Sequence, residues 1–117
     1  MTKLEALKAL LEKVRAGQDN SELWRPAFSD HGSEAMLAFH GSLDAALALY
    51  QAVLPGWSTE ITCRPFGTKP HQWHILLSTD HTGWGNGKHC AASADNPARA
   101  WLMAILQALI AQERDNA

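Results

Sequence analysis

Residues 83 to 89, GWGNGKH, carry the composition of a phosphate-binding loop. Glycines ahead of a helix can bare backbone N–H groups to an anion. A Walker loop, however, needs G-x-x-x-x-G-K-[ST], with the helix opening at the lysine. Here Gly83 to Lys88 lacks that spacing, His89 stands in the Ser/Thr place, and the next helix signal is Pro97. The stretch therefore reads as a β-turn between two strands, with glycine supplying positive φ. Trp84, His81 and Lys88 are its contact-capable side chains. An indole on such a loop can stack on a ligand ring, anchor a partner, or fold back as a lid on the core.

Six histidines raise the question of a metal. His71 and His74 are three apart in a predicted strand, so they face opposite sides of the sheet. His81 and His89 flank the glycine loop, but no cysteine or carboxylate completes a ligand set. Cys63 and Cys90 have no C-x-x-C partner. A Cys–His nucleophile fails on geometry, since His89 and Cys90 are adjacent in a strand and point apart. Neither G-x-S-x-G nor H-E-x-x-H occurs. The expectation is a protein with no metal, no cofactor and no catalytic residue.

The totals limit partners as well. Ten Lys and Arg against 12 Asp and Glu leave a formal charge of −2. A chain without a basic surplus lacks the main electrostatic drive toward phosphate backbones. A helix–three strands–helix order also occurs in double-stranded-RNA-binding domains, which place basic residues at the start of the last helix. "NPARAW" supplies only Arg99 there. Nucleic acid is not an expected partner. No apolar run reaches the ~18 residues of a membrane span, and charges interrupt the first apolar residues after Met1. A soluble, cytoplasmic protein of one domain, residues 1–117, is expected.

The elements that would position these residues follow from spacing. Thr2 and Glu5 stand at capping-box distance, and Leu4, Leu7, Leu11 and Val14 recur at helical spacing up to Gly17. Residues 18 to 41 mix Trp24, Phe28, Met36, Leu37 and Phe39 with Pro26 and Gly32. They read as an irregular segment with room for one short helical turn. Ser42 caps a second helix over 43 to 54, with Leu43, Ala46, Leu47, Tyr50 and Leu54 on one face, stopped by Pro55-Gly56. The period then changes to two. "WSTEITCR" and "HQWHILLS" alternate as half-buried strands, joined by a turn from Pro65 through Pro70, and "KHCAASA" forms a third. Asn96 and Pro97 open the last helix, whose apolar stripe is Ala98, Trp101, Leu102, Ile105, Leu109 and Ile110. Short connections make the strands an antiparallel meander, with the two cysteines on its outer strands and unbridged. The fold class is α+β, an αβ sandwich of α-α-β-β-β-α order.

"SLDAALALYQAVLPGW" and "HCAASADNPARAWLMAILQAL" resemble the phage ABA-sandwich domain family of small phage and prophage proteins. The recurring features are a "DAAL…LPGW" helix-turn-strand and a closing strand-helix, with Trp101 where the family often has leucine. The resemblance covers residues 42 to 113, and 1 to 16 more loosely. It implies an αβ fold and a phage or prophage origin, inside an infected or lysogenic bacterium. It brings no activity and no functional residue.

The function expected is that of a non-enzymatic accessory protein that binds a host or phage protein or associates with itself. Either segment 18 to 41 wraps its own domain and uses up its apolar surface, or some of Trp24, Phe28, Phe39, Leu49 and Val53 are surplus to one small core and pair across a two-fold dimer interface. The alternative is a nucleotide-like ligand, one version of which is a host defence signal held by sequestration. Trp84, His81, Lys88, Arg64 and His74 would hold it on the polar sheet face. That alternative rests on analogy.

Overall fold

Thr2 opens α1, Lys3–Arg15, with both halves of the capping box formed. Its hydroxyl accepts from Glu5 N–H at 3.1 Å, and Glu5 Oε2 accepts from Thr2 N–H at 3.4 Å. Gly17, at φ 72°, ends the helix in a Schellman turn: its N–H donates to Val14 O and that of Gln18 to Lys13 O. The computed structural model describes residues 2–19, 22–66, 69–79 and 89–115, with 64–66 and 69–71 described by backbone alone.

The segment expected to be irregular is helical. It holds α2, Trp24–Phe28, a 3₁₀ turn at Ser29–His31, and α3, Gly32–Phe39. Pro26 does not break α2, because a proline in the first turn of a helix removes no intrahelical donor. Gly41, at φ 105°, stops α3 with the same Schellman pattern as α1. Trp24, Phe28 and Phe39 are buried, as is Leu49, and Val53 packs against the same core. These side chains are consumed within one chain and are not surplus to it.

Ser42 caps α4, Leu43–Val53, accepting from Ala45 N–H at 3.1 Å. The inward face of α4 differs from the expected one. Ala45, Ala46, Leu49 and Tyr50 are buried, whereas Leu43 and Leu47 stand exposed. Turning the small alanines inward lets α4 approach its neighbours closely and brings the Tyr50 hydroxyl onto the Trp57 carbonyl.

The strands β1, Ser58–Phe66, β2, Lys69–Ser78, and β3, His89–Ala94, form an antiparallel meander in that order. The strands continue into the expected turn, with Phe66 opposite Lys69 and a register shift between Arg64 and Phe66. Lys88, expected at the start of the third strand, lies outside the described residues. The rows Thr59–Leu77–Cys90, Ile61–Ile75–Ala92 and Cys63–Trp73–Ala94 alternate with rows such as Thr62–His74–Ser93. Ile75, Leu77 and Ala92 are buried, which makes theirs the helix-facing side. Cys63 and Cys90 lie on the two outer strands and are not bridged.

The final helix α5, Pro97–Asp115, packs on β2 and β3 and also on α1, α3 and α4. Its apolar surface is not a stripe. From Ala98 to Ile110 only Arg99 and Gln107 fall outside the buried class. A helix apolar all round belongs in an interior, and α5 is the element that joins the sheet to the other helices. The chain is α+β. No described helix is long and apolar enough to cross a membrane.

Candidate functional site

Of the five residues expected to bind, Trp84, His81 and Lys88 lie outside the described residues. The GWGNGKH loop reading, apart from His89 at the start of β3, lies there with them. Arg64 occupies a register position opposite Gln72 on β1. His74 stands in the neighbouring row, between Thr62 and Ser93, on the face of the sheet turned from the helices. Its Nδ1 is in short hydrogen-bond contact with Ser93 Oγ. A hydroxyl held against an imidazole is half of a nucleophile–base arrangement, but acyl transfer also needs an orienting carboxylate and oxyanion donors. Among the described residues no three His, Cys, Asp or Glu side chains converge as a metal site. The pair is a half-buried cross-strand hydrogen bond on the sheet face turned from the helices, with His74 Nε2 buried.

A second polar constellation ties the helices together. The Asp19 carboxylate accepts from Trp24 Nε1 at 2.9 Å and meets His40 Nε2 at 3.0 Å. Trp24 and Phe39 pack at 5.8 Å between ring centroids. Together these contacts fasten the connection after α1 to the end of α3. Trp24, weighed as a partner contact on an irregular segment, is an internal anchor.

Part of the helical surface is apolar. Leu37 is 49% exposed, Leu43 45% and Leu47 41%. Leu43 and Leu47 are four apart on α4 and therefore share a face. Leu37 on α3 is exposed as well, and its carbonyl accepts from the N–H of Ser42, the cap of α4, at 3.0 Å. Ala48 and Ala52 extend the exposed side of α4, and Asp44 is its one charge. Singly exposed leucines are ordinary, whereas a contiguous apolar face on two helices indicates a contact site. Spacing alone assigned Leu43 and Leu47 to the core. The available clue was excess, since α4 carries more apolar residues than one buried face of an eleven-residue helix can use.

Two further depressions lie on the helical side. One, of about 400 Å³, is bounded by Trp24, Arg25, Asp30 and Met36. The other, of about 420 Å³, runs between α1 and α5 and is rimmed by Lys8, Arg15 and Arg114.

Compared with models of protein families, with curated proteins and with solved structures, the chain matches none.

Proposed function

We propose that this chain is a non-enzymatic phage or prophage accessory protein. It acts by binding protein, a second copy of itself included, through the leucine face of α3 and α4. The observation that carries this reading is the exposed trio Leu37, Leu43 and Leu47 on helices whose Leu49 is buried in the core and whose Met36 and Val53 pack against it. Covering one such side chain contributes roughly 1.5–3 kcal/mol. The phage origin rests on the DAAL…LPGW and NPARAW resemblance. Light scattering coupled to size exclusion, at micromolar concentrations, tests the contact. Wild type is expected above the 12.8 kDa of one chain, and Leu43→Asp/Leu47→Asp at that mass with an unchanged circular dichroism spectrum. A wild-type mass of one chain at every concentration ends the self-association reading.

The half-buried His74–Ser93 pair on the sheet face turned from the helices favours a second reading, a nucleotide-like ligand lying across β2. A ligand that binds only the folded state raises the melting temperature. A nucleotide panel that leaves the temperature unchanged removes this reading.

A further inference from the structure

The groove between α1 and α5 is built unlike the rest of the surface. Its floor is apolar, from Leu11 and Ile110, and its rim is cationic, from Lys8, Arg15 and Arg114. One of these cations is partly offset, since Arg15 Nη1 lies 3.8 Å from Glu12 Oε1. The rim therefore keeps a positive surplus in a chain of formal charge −2.

The leucine face has the opposite character. Residues 26 to 63 contain no lysine and no arginine, and carry Asp30, Glu34, Asp44 and Glu60. One of these carboxylates, exposed Asp44, directly follows Leu43 on α4, whereas Glu34 lies 3.9 Å from His31 Nδ1 with that oxygen buried. The groove and the face also lie on different elements. Packing joins α1 to α2 and α5, whereas α3 and α4 pack on each other and on α5. One molecule can therefore offer both at once.

We infer that the α1–α5 groove of one copy receives the α3–α4 leucine face of a second copy, head to tail. The inference rests on the self-association reading above and specifies its geometry. Leu43 and Leu47 seat on Leu11 and Ile110, while Asp44 meets the cationic rim. Both components are complementary: apolar floor with apolar ridge, cationic rim with anionic flank. Head-to-tail contacts do not pair the same patch with itself, so they build rings or open filaments rather than a two-fold dimer.

The test uses the full chain in three forms: wild type, a face variant, Leu43→Asp/Leu47→Asp, and a groove variant, Lys8→Glu/Arg114→Glu. Each variant alone is expected at the mass of one chain by light scattering. Their equimolar mixture is expected at twice that mass, because each contributes the surface the other has lost. Wild-type association is expected to weaken as salt rises, since the Debye length falls from about 10 Å at 0.1 M to about 3 Å at 1 M. The neutral pair Lys8→Gln/Arg114→Gln runs alongside, so a reversal variant that misfolds still leaves a readout. It too is expected to associate less than wild type. Groove variants that associate as wild type does, while the face variant does not, mean that the leucine face pairs with itself. That overturns this inference and leaves the proposed function standing. A wild type that stays at one chain's mass overturns this inference together with the self-association reading, and association that survives the face substitution overturns this inference and the role of the leucine face.

Discussion

The guanidinium of Arg99 holds the carbonyl of Phe39, a residue sixty positions earlier, and lies over the same residue's ring. Nη2 donates to Phe39 O at 3.2 Å, Nε at 3.4 Å, and the guanidinium carbon stands 4.4 Å from the ring centroid. Phe39 is the last residue of α3, so the cation meets the negative end of that helix. Directly before Arg99, Asn96 Oδ1 accepts from the N–H groups of Ala98 and Arg99 at 2.9 and 3.2 Å. The start of α5 is thus fixed by its own cap and by the end of α3 together.

Arg99→Ala is expected to cost about 2 kcal/mol, from the combined loss of a cation–π contact and a charged hydrogen bond. Arg99→Lys is expected to recover less than half, because an ammonium lacks the planar fork that donates twice while stacking. Urea midpoints for the two variants check this. An alanine variant with the wild-type midpoint would show that the contact adds nothing.

Trp101 separates packing from polarity. It is 5% exposed, packs with its ring centroid 5.5 Å from that of Tyr50, and its Nε1–H reaches no acceptor among the described residues. Trp101→Ala is expected to cost about 3–5 kcal/mol through the cavity it leaves. Trp101→Phe is expected to cost less than about 1.5 kcal/mol, because it also removes a buried donor that has no partner. A phenylalanine variant as damaged as the alanine variant would contradict this division.

Tyr50 is the only tyrosine, so its titration can be followed alone. Burial pushes its phenol above the usual value of 10 by penalising the phenolate. The unfolded chain gives up this proton near pH 10, while the folded protein keeps it to higher pH. Its contribution to stability is therefore complete below about pH 10 and is lost as pH rises from there through the folded value. Tyrosinate absorbance is expected to rise with a midpoint above 10 in buffer and near 10 in denaturant. A folded midpoint at or below 10 would contradict the burial of this hydroxyl.

Cys63 pairs with Trp73 and Cys90 with Leu77, so two strand spacings and four residues along β2 separate the sulfurs' strands. At ~4.8 Å per strand spacing this exceeds the ~7 Å within which disulfide Cα atoms normally lie. Mass spectrometry without reductant is expected to find no internal bridge, and a thiol reagent to modify exposed Cys63 before half-buried Cys90. An intrachain disulfide would refute this strand order.

Local energetics alone determined a good deal of this protein. Thr2 with Glu5, Gly17, Ser42, and Asn96 with Pro97 mark helix ends through hydrogen bonds that span only a few residues. Any chain carrying those residues in that order meets the same local choice. The alternation in 58–64 and 72–78 assigned each strand residue to its face for the same reason, because the pleat has a period of two. Gly41-Ser42 carried an equally local stop and start, and it would have revealed α3. The mixture of aromatics with Pro26 and Gly32 obscured it. The tertiary structure decided which apolar surface goes inside. Trp24 and Phe39 turn inward because Asp19 can satisfy the indole and Arg99 can reach the carbonyl, and those partners lie 5 and 60 residues away. Helix α4 rolls its alanines inward and leaves Leu43 and Leu47 outside. Close approach to α3 and α5, with the Tyr50 hydroxyl seated on Trp57, outweighs the burial of two leucines. A spacing rule sees one helix at a time, whereas burial is settled by the sum of contacts each face can make with the others. The cationic groove has the same origin. Lys8 and Arg114 are 106 positions apart in sequence, and only the packing of α1 on α5 places them on one rim.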